Sequence, residues 1–264
     1  MRIHHLNCGS MRLLSVQLVC HVLLLETERG LVLVDSGYGL HDIVTPSKRV
    51  GPSRHILKPT LDVKETAARQ VEHLGYRRSD VRHIIVTHFD VDHIGGIADF
   101  PEAAIHVTVD EIDAAMRAPT GFERLRYRAS QWSHRPRIVE HRREGEAWRG
   151  FTAANVMVDI SHDIVLIPMP GHTRGHACVA IRNGDRWLLH AGDAFYHPAS
   201  IEARGADVPR VLRVMESLLA FDKRQVIDNH ARLRDLRAQP NPPWDIFCAH
   251  DADTFEKLRR QSAE

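Results

Sequence analysis

The chain has 264 residues, 43% of them hydrophobic and 26% charged, a balance that suits a globular protein with a sizeable core. Its 35 lysines and arginines nearly cancel its 34 aspartates and glutamates, so no overall field marks it as a binder of nucleic acid or of acidic substrates. The four cysteines, Cys8, Cys20, Cys178 and Cys248, form no CxxC pair and are too few for a disulfide framework, which points to reduced, buried thiols in a cytoplasmic protein. One domain spanning residues 1–264 is expected.

In chain order, residues 14–26 read as one strand and residues 30–34 as the next, closed by the turn Asp35-Ser36-Gly37. The apolar run 13–25 contains Gln17 and His21, lacks a cleavage site and falls short of the roughly 18 apolar residues that a membrane span needs, so no membrane role is expected. Residues 64–74 have helical spacing (Ala67, Val71, Leu74) with Gly75 as a stop, and residues 81–86 form a buried strand. Residues 104–107 and 109–116 repeat the strand-then-helix order. A basic, aromatic segment, 122–148, reads as helical at first and irregular later, with no legible role. Strands follow at 164–167, 177–181 and 187–190, then a helix-rich stretch at 208–238 and a last strand at 246–249. Two strand-rich halves, each followed by helices, predict an α/β protein of the αββα sandwich type, two mixed sheets face to face with helices outside.

Chemistry concentrates in THFDVDHIGG, residues 87–96, where His88, Asp90, Asp92 and His93 crowd the end of a strand. So many acids in one loop repel one another unless a cation binds among them. His88 and Asp90, two apart on extended backbone, point to one side. Asp92 and His93 come where Gly95 and Gly96 let the chain turn. The same spacing also suits a helix start capped by Asp92. Three later motifs place a polar residue just past an apolar strand: His172 in PMPGHTRGH, Asp193 in LLHAGDAFY and His250 in IFCAHD. Sheet proteins gather their sites at such an edge.

With LVDSG around Asp35, these motifs stand in the order of the metallo-β-lactamase superfamily, which the chain resembles over essentially its full length. GDAFY, with Tyr196 three residues after Asp193, and FCAHD most resemble the N-acyl homoserine lactonase-like branch. The resemblance implies metal 1 on His88, Asp90 and His172, metal 2 on Asp92, His93 and His250, and Asp193 bridging the two. Asp35 would orient a ligand histidine, and His176 would stand behind the ligands or be exposed. His4, His5, His21, His190 and His197 read as structural. One departure is Asp90, where the family's HxHxDH loop has a second histidine. It either ligates metal 1 or hydrogen-bonds a neighbour and leaves that site weak.

The activity so implied is a metal-dependent hydrolase of lactones or related esters. A hydroxide bridging two divalent ions would attack the carbonyl, with Asp92 as proton acceptor and Tyr196 as hydrogen-bond donor to the substrate. Zinc is the first expectation, and the carboxylate of Asp90 shifts preference toward iron or manganese. A thioester hydrolase of the glyoxalase II type, or an iron-dependent oxidoreductase on the same fold, are the alternatives. The expected partner is a small-molecule substrate bound by segments 38–61 and 122–148, with no nucleic acid and no membrane. The oligomeric state is left open, a homodimer included.

Overall fold

Apolar runs that alternate inward and outward yet are buried on both faces require cover on each side, and this dictates a layered molecule. The computed structural model describes residues 1–202 and 207–262. Its strands are β1 (Arg2–Asn7), β2 (Met11–Leu13), β3 (Val16–Leu18), β4 (His21–Thr27), β5 (Gly30–Val34), β6 (Val81–Ile85) and β7 (Ala104–Thr108), then β8 (Arg137–His141), β9 (Glu146–Trp148), β10 (Phe151–Val156), β11 (Ile164–Pro168), β12 (Ala177–Asn183), β13 (Arg186–His190) and β14 (Trp244–Phe247). One six-stranded sheet runs β1-β4-β5-β6-β7-β8, the other β14-β13-β12-β11-β10-β9, and β2 and β3 pair as a hairpin.

Both sheets are mixed. In the first, β1, β4 and β5 are antiparallel and β5 to β8 parallel. In the second, β9 to β13 are antiparallel and only β13 and β14 are parallel. Between the sheets, Leu23, Val32, Val34 and Ile85 meet Ile164, Leu166, Val179 and Phe247 in one cluster. The opposite faces are closed by helices. Ala67, Ala68 and Val71 of the helix Ala67–His73 pack on the side of Leu24, Leu33 and Ile84. Leu233 and Leu236 of the helix Lys223–Arg237 pack on that of Val165, Ile167 and Leu189. This is the αββα sandwich expected from the sequence.

Three local expectations are corrected. Residues 14–26 are not one strand: Leu14 turns the β2–β3 hairpin at φ 53°, and the amides of Val19 and His21 bond to the carbonyls of His250 and Ala249, which interrupts the run. Segment 122–148 is not irregular after its helix (Gly121–Arg126), because β8 becomes the edge of the first sheet and β9 the edge of the second. The helix expected over 109–116 is α-helical only at Val109–Ile112 and continues as a π-turn, Asp113–Arg117. Helical and strand periodicities are local, whereas each of these outcomes depends on a partner far along the chain.

Candidate metal centre

Every chemistry-bearing motif follows a strand end at one edge of the sandwich: Asp35 after β5, residues 88–93 after β6, His172 after β11, Asp193 after β13 and His250 after β14. His88, Asp92, His93, His172, Asp193 and His250 are all buried there. Asp193 stands in the middle. Its Oδ2 lies 3.8 Å from His88 Nε2 and 3.4 Å from His172 Nε2, while its Oδ1 lies 3.3 Å from His93 Nε2 and 3.1 Å from His250 Nε2. Asp92 Oδ2 is 3.6 Å from His250 Nε2. Ligand atoms about 2.0–2.2 Å from a tetrahedral ion are about 3.3–3.6 Å from one another, and three of these five separations fall in that range. His88 Nε2, His93 Nε2 and Asp193 Oδ1 are buried without a hydrogen-bond partner, an arrangement that a protein avoids unless something else takes their lone pairs. Two triads, His88–His172–Asp193 and Asp92–His93–His250, each converge closely enough to hold a metal ion.

The outward ring nitrogens are fixed, as metal-facing imidazoles require. His93 Nδ1 bonds to Asp35 Oδ2 at 2.8 Å, and His250 Nδ1 to the Val19 carbonyl at 2.8 Å. His88 Nδ1 meets Thr87 Oγ1 at 3.0 Å, and Thr87 in turn donates its amide and hydroxyl to Asp35. Asp35 thus steadies two of the histidines, and it does so at φ 60°. His176 is buried: its Nδ1 donates to the Met169 carbonyl, and its Nε2 accepts the Asp193 amide at 3.0 Å, so it stands behind the candidate ligands. His5, His21 and His190 lie apart, His5 bonded to His21 and His190 to the His21 carbonyl. His4 pairs with Glu26, and His197 Nδ1 accepts the Ala199 amide.

Electrostatics follow from this crowding. Burial and the neighbouring His93 depress the His88 imidazole to about 3. Burial disfavours a charged His93, but Asp193, Asp35 and Asp92 outweigh it and raise its pKa well above the usual value. Burial raises the Asp92 carboxyl, opposed by His93 and His250. The Tyr196 phenol is pushed well above its usual range by burial and by Asp193, so it keeps its proton. Its oxygen lies 3.4 Å from His172 Nδ1.

Asp90 behaves unlike its neighbours. It takes the N-cap position of the short helix Val91–Ile94, displacing Asp92 from that role, yet its side chain caps nothing. Its carboxylate is instead held by Arg126, Nε to Oδ1 at 2.6 Å and Nη2 to Oδ2 at 2.5 Å. Oδ2 remains 3.4 Å from His88 Nε2 and 3.2 Å from His172 Nε2. Burial would raise this carboxyl, but the guanidinium outweighs it and holds the group well below the usual range.

Two participants escaped the sequence reading. Arg126 sits in the segment whose role was illegible, and nothing local distinguishes it from Arg124 or Arg128. Glu111 is fully buried and accepts the Phe89 amide, the Tyr127 hydroxyl, the Thr173 hydroxyl and the Gly175 amide, so it clasps the histidine–aspartate loop to the GHTRGH loop. Its sequence context, Thr108-Val-Asp-Glu111, has the spacing of a helix capping box, and Thr108 does accept the Glu111 amide. That local reading conceals the long-range role.

A family model of the metallo-beta-lactamase superfamily matches residues 16–250, the span that contains all five motifs. The chain belongs to the metallo-beta-lactamase superfamily. A probable metallo-hydrolase of Mycobacterium tuberculosis is 54% identical over 98% of this chain and 83% of its own length. An N-acyl homoserine lactonase of Bacillus thuringiensis subsp. kurstaki is 24% identical over 94% of this chain and 86% of its own. Among solved structures, an N-acyl homoserine lactone hydrolase with the product N-hexanoyl-L-homoserine at its catalytic metal centre superposes with a TM-score of 0.70 at 19% identity, over 97% of this chain and 95% of that one. That likeness establishes the fold. Within the superfamily the chain is a metal-dependent hydrolase.

The metallo-beta-lactamase edge opens into a cavity of about 350 Å³. Segment 38–61 supplies Val50, Pro52, Ile56 and Leu57 to its wall, and segment 122–148 supplies Leu125, Arg126 and Arg128. Met215 and Leu219 of the helix Arg210–Leu219 also line it, which the sequence did not suggest. The end of segment 122–148 lies elsewhere, Trp148 packing against Trp187 and Trp244. The cysteines are all buried and unpaired. Among the described residues, no helix is long and apolar enough to cross a membrane.

Proposed function

We propose that this hydrolase uses two divalent metal ions, zinc first among them, to open lactones or related esters with an apolar acyl part. The observation that carries the reading is Asp193, one buried carboxylate among four imidazoles, its Oδ2 toward His88 and His172, its Oδ1 toward His93, and His250 Nε2 at 3.1 Å from one oxygen and 3.2 Å from the other. Metal 1 would be held by His88, His172 and Asp193 with Asp90 beside them, and metal 2 by Asp92, His93, His250 and Asp193. Bound there, the ions would supply Lewis acidity and lower the pKa of water toward roughly 7.

The chain's own groups fit the rest of the chemistry. His172 Nε2 faces the donor-only Arg126 Nη2 at 2.6 Å, so its proton rests on Nδ1, directed at the Tyr196 oxygen. The phenol proton is then free to point into the cavity, where it would donate to a carbonyl oxygen as negative charge develops on it. Asp92, whose carboxyl burial raises, borders the cavity and would take and return a proton. Met11, Leu18, Ile56, Leu57, Leu125 and Met215 give the cavity an apolar wall leading down to these groups, the shape of site that suits an acyl chain attached to a polar ring. The names of the lactonases similar to this chain favour the same substrate class.

The test is an array of acyl lactones, thioesters and phosphodiesters with metal-reconstituted protein. Lactones should be turned over best, and Tyr196→Phe should lower kcat about 10²-fold or more with metal content unchanged. Preference for thioesters or phosphodiesters over every lactone would overturn the assignment.

A further inference from the structure

Site 1 and site 2 differ in one respect. Around site 2, among the described residues, nothing but the candidate ligands themselves and the residues that orient them engages the metal-facing atoms. Around site 1, a cation is already supplied by the protein. Arg126 Nη2 lies 2.6 Å from His172 Nε2, a candidate ligand of metal 1, and 2.5 Å from Asp90 Oδ2, the carboxylate oxygen beside that site. Arg126 Nε holds Asp90 Oδ1, and its Nη1 donates to the carbonyls of His172 and Leu219. The Arg126 side chain is 8% exposed and that of Asp90 17%, both at the cavity wall, so the pair is largely withdrawn from bulk solvent.

We propose that Arg126 is a built-in counter-charge and competitor for metal 1, so that metal 1 binds in exchange for the guanidinium's hold on His172 Nε2 and Asp90 Oδ2. The proposal rests on the two-ion reading above and adds an order to it: site 2 fills first and tightly, site 1 second and more weakly. It also accounts for the unusual loop. A carboxylate where the family carries a neutral imidazole adds one negative charge among Asp92 and Asp193, and Arg126 cancels that charge. An arginine does this better than a lysine because its planar fork reaches both carboxylate oxygens at once and keeps its proton at any accessible pH. Competition arises because a guanidinium and a divalent ion seek the same lone pairs and repel each other at close range.

Cobalt(II) and zinc titrations of metal-free protein test this, followed by the cobalt d–d absorbance, by chelator competition and by thermal melting. His172→Ala identifies the step that belongs to site 1. The parent should bind two ions with affinities at least about tenfold apart. Arg126→Met should tighten the weaker step about tenfold or more, melt below the parent without metal because Asp90 is left unpaired, and recover most of that difference in saturating zinc. Should Arg126→Met not fold without metal, the comparison moves to Asp90→Asn and Asp90→Asn/Arg126→Met: the single variant should bind metal 1 more weakly than the parent, and the double more tightly than the single. An Arg126→Met protein that folds and binds its weaker ion no better than the parent, or a double variant no better than Asp90→Asn, overturns the proposal. A parent with one ion and an Arg126→Met variant with two would support the competition and refute the two-ion reading of the parent. One ion in every variant would refute both.

Discussion

At the residue scale, the partners of Asp90 and Asp193 decide how the centre responds to change. Read from the motif alone, Asp90→His should restore the family's loop, leave the fold intact and shift metal preference toward zinc. Arg126 reverses that expectation, since the substitution would strand a buried guanidinium beside three imidazoles, and breaking a buried pair from one side costs about 3–5 kcal/mol. Asp90→His alone is therefore expected to lose thermal stability and metal 1 together, and Asp90→His/Arg126→Met to regain both; melting curves with elemental analysis decide it. Asp193→Ala should lose both metals and activity, because its two oxygens serve both groups of histidines. Full activity with two metals bound would refute the bridging role. Asp35→Ala, which touches no candidate ion but removes the hydrogen-bond partner of His93 Nδ1, should weaken metal binding about 10–100-fold.

At the scale of elements, the site is a meeting of loops, and Glu111 and Arg49 are the fasteners. Glu111 faces four donors: the Phe89 and Gly175 amides and the Tyr127 and Thr173 hydroxyls. A carboxylate accepts all of them, two on each oxygen, whereas an amide of the same shape sets its own N–H groups against two. Glu111→Gln is expected to destabilise by about 1–3 kcal/mol in urea unfolding and to weaken metal binding as the two loops loosen. No change in either would mean that the loops hold their places without it. Arg49 does comparable service for segment 38–61, bonding Asp42 at 2.7 Å and the carbonyls of Ser130 and Gly95, which ties the cavity wall to the metal loop.

For the whole molecule, the two groups of candidate ligands straddle the sandwich. His88, Asp92 and His93 leave the first sheet, while His172, Asp193 and His250 leave the second. Bound ions would therefore staple the sheets, and zinc at about 100 times its Kd should stabilise metal-free protein by about 2.7 kcal/mol per site. A second global property lies away from the metals. His83, His106 and His141 form a hydrogen-bonded row across β6, β7 and β8. Burial and the two neighbouring histidines lower His106 to about 3. Because its folded pKa lies below the unfolded value of about 6.5, the unfolded chain takes up the proton first. The stability is complete above about pH 6.5 and declines as pH falls toward 3. Between pH 6.5 and 5.5 the parent should lose about 1 kcal/mol more than His106→Gln; parallel pH profiles would show that His106 is not the group responsible.

What the sequence determined by itself are the features written in neighbouring residues. The apolar runs that became β5, β6, β11 and β13, and the placing of Asp35, His88, His93, His172, Asp193 and His250 just past strand ends, follow from local alternation and turn chemistry, and they suffice for the sandwich and for one edge rich in candidate ligands. The tertiary structure alone decided which charges meet. Asp90 and Arg126 are 36 positions apart, and the chain offers Arg124 and Arg128 as equally plausible partners; only the docking of the helix Gly121–Arg126 against the His172 loop and the end of the helix Arg210–Leu219 selects Arg126. Glu111, β8 and β9 were illegible for the same reason. A strand edge or a buried carboxylate is defined by what closes over it, and that closure is a long-range event which no local periodicity encodes.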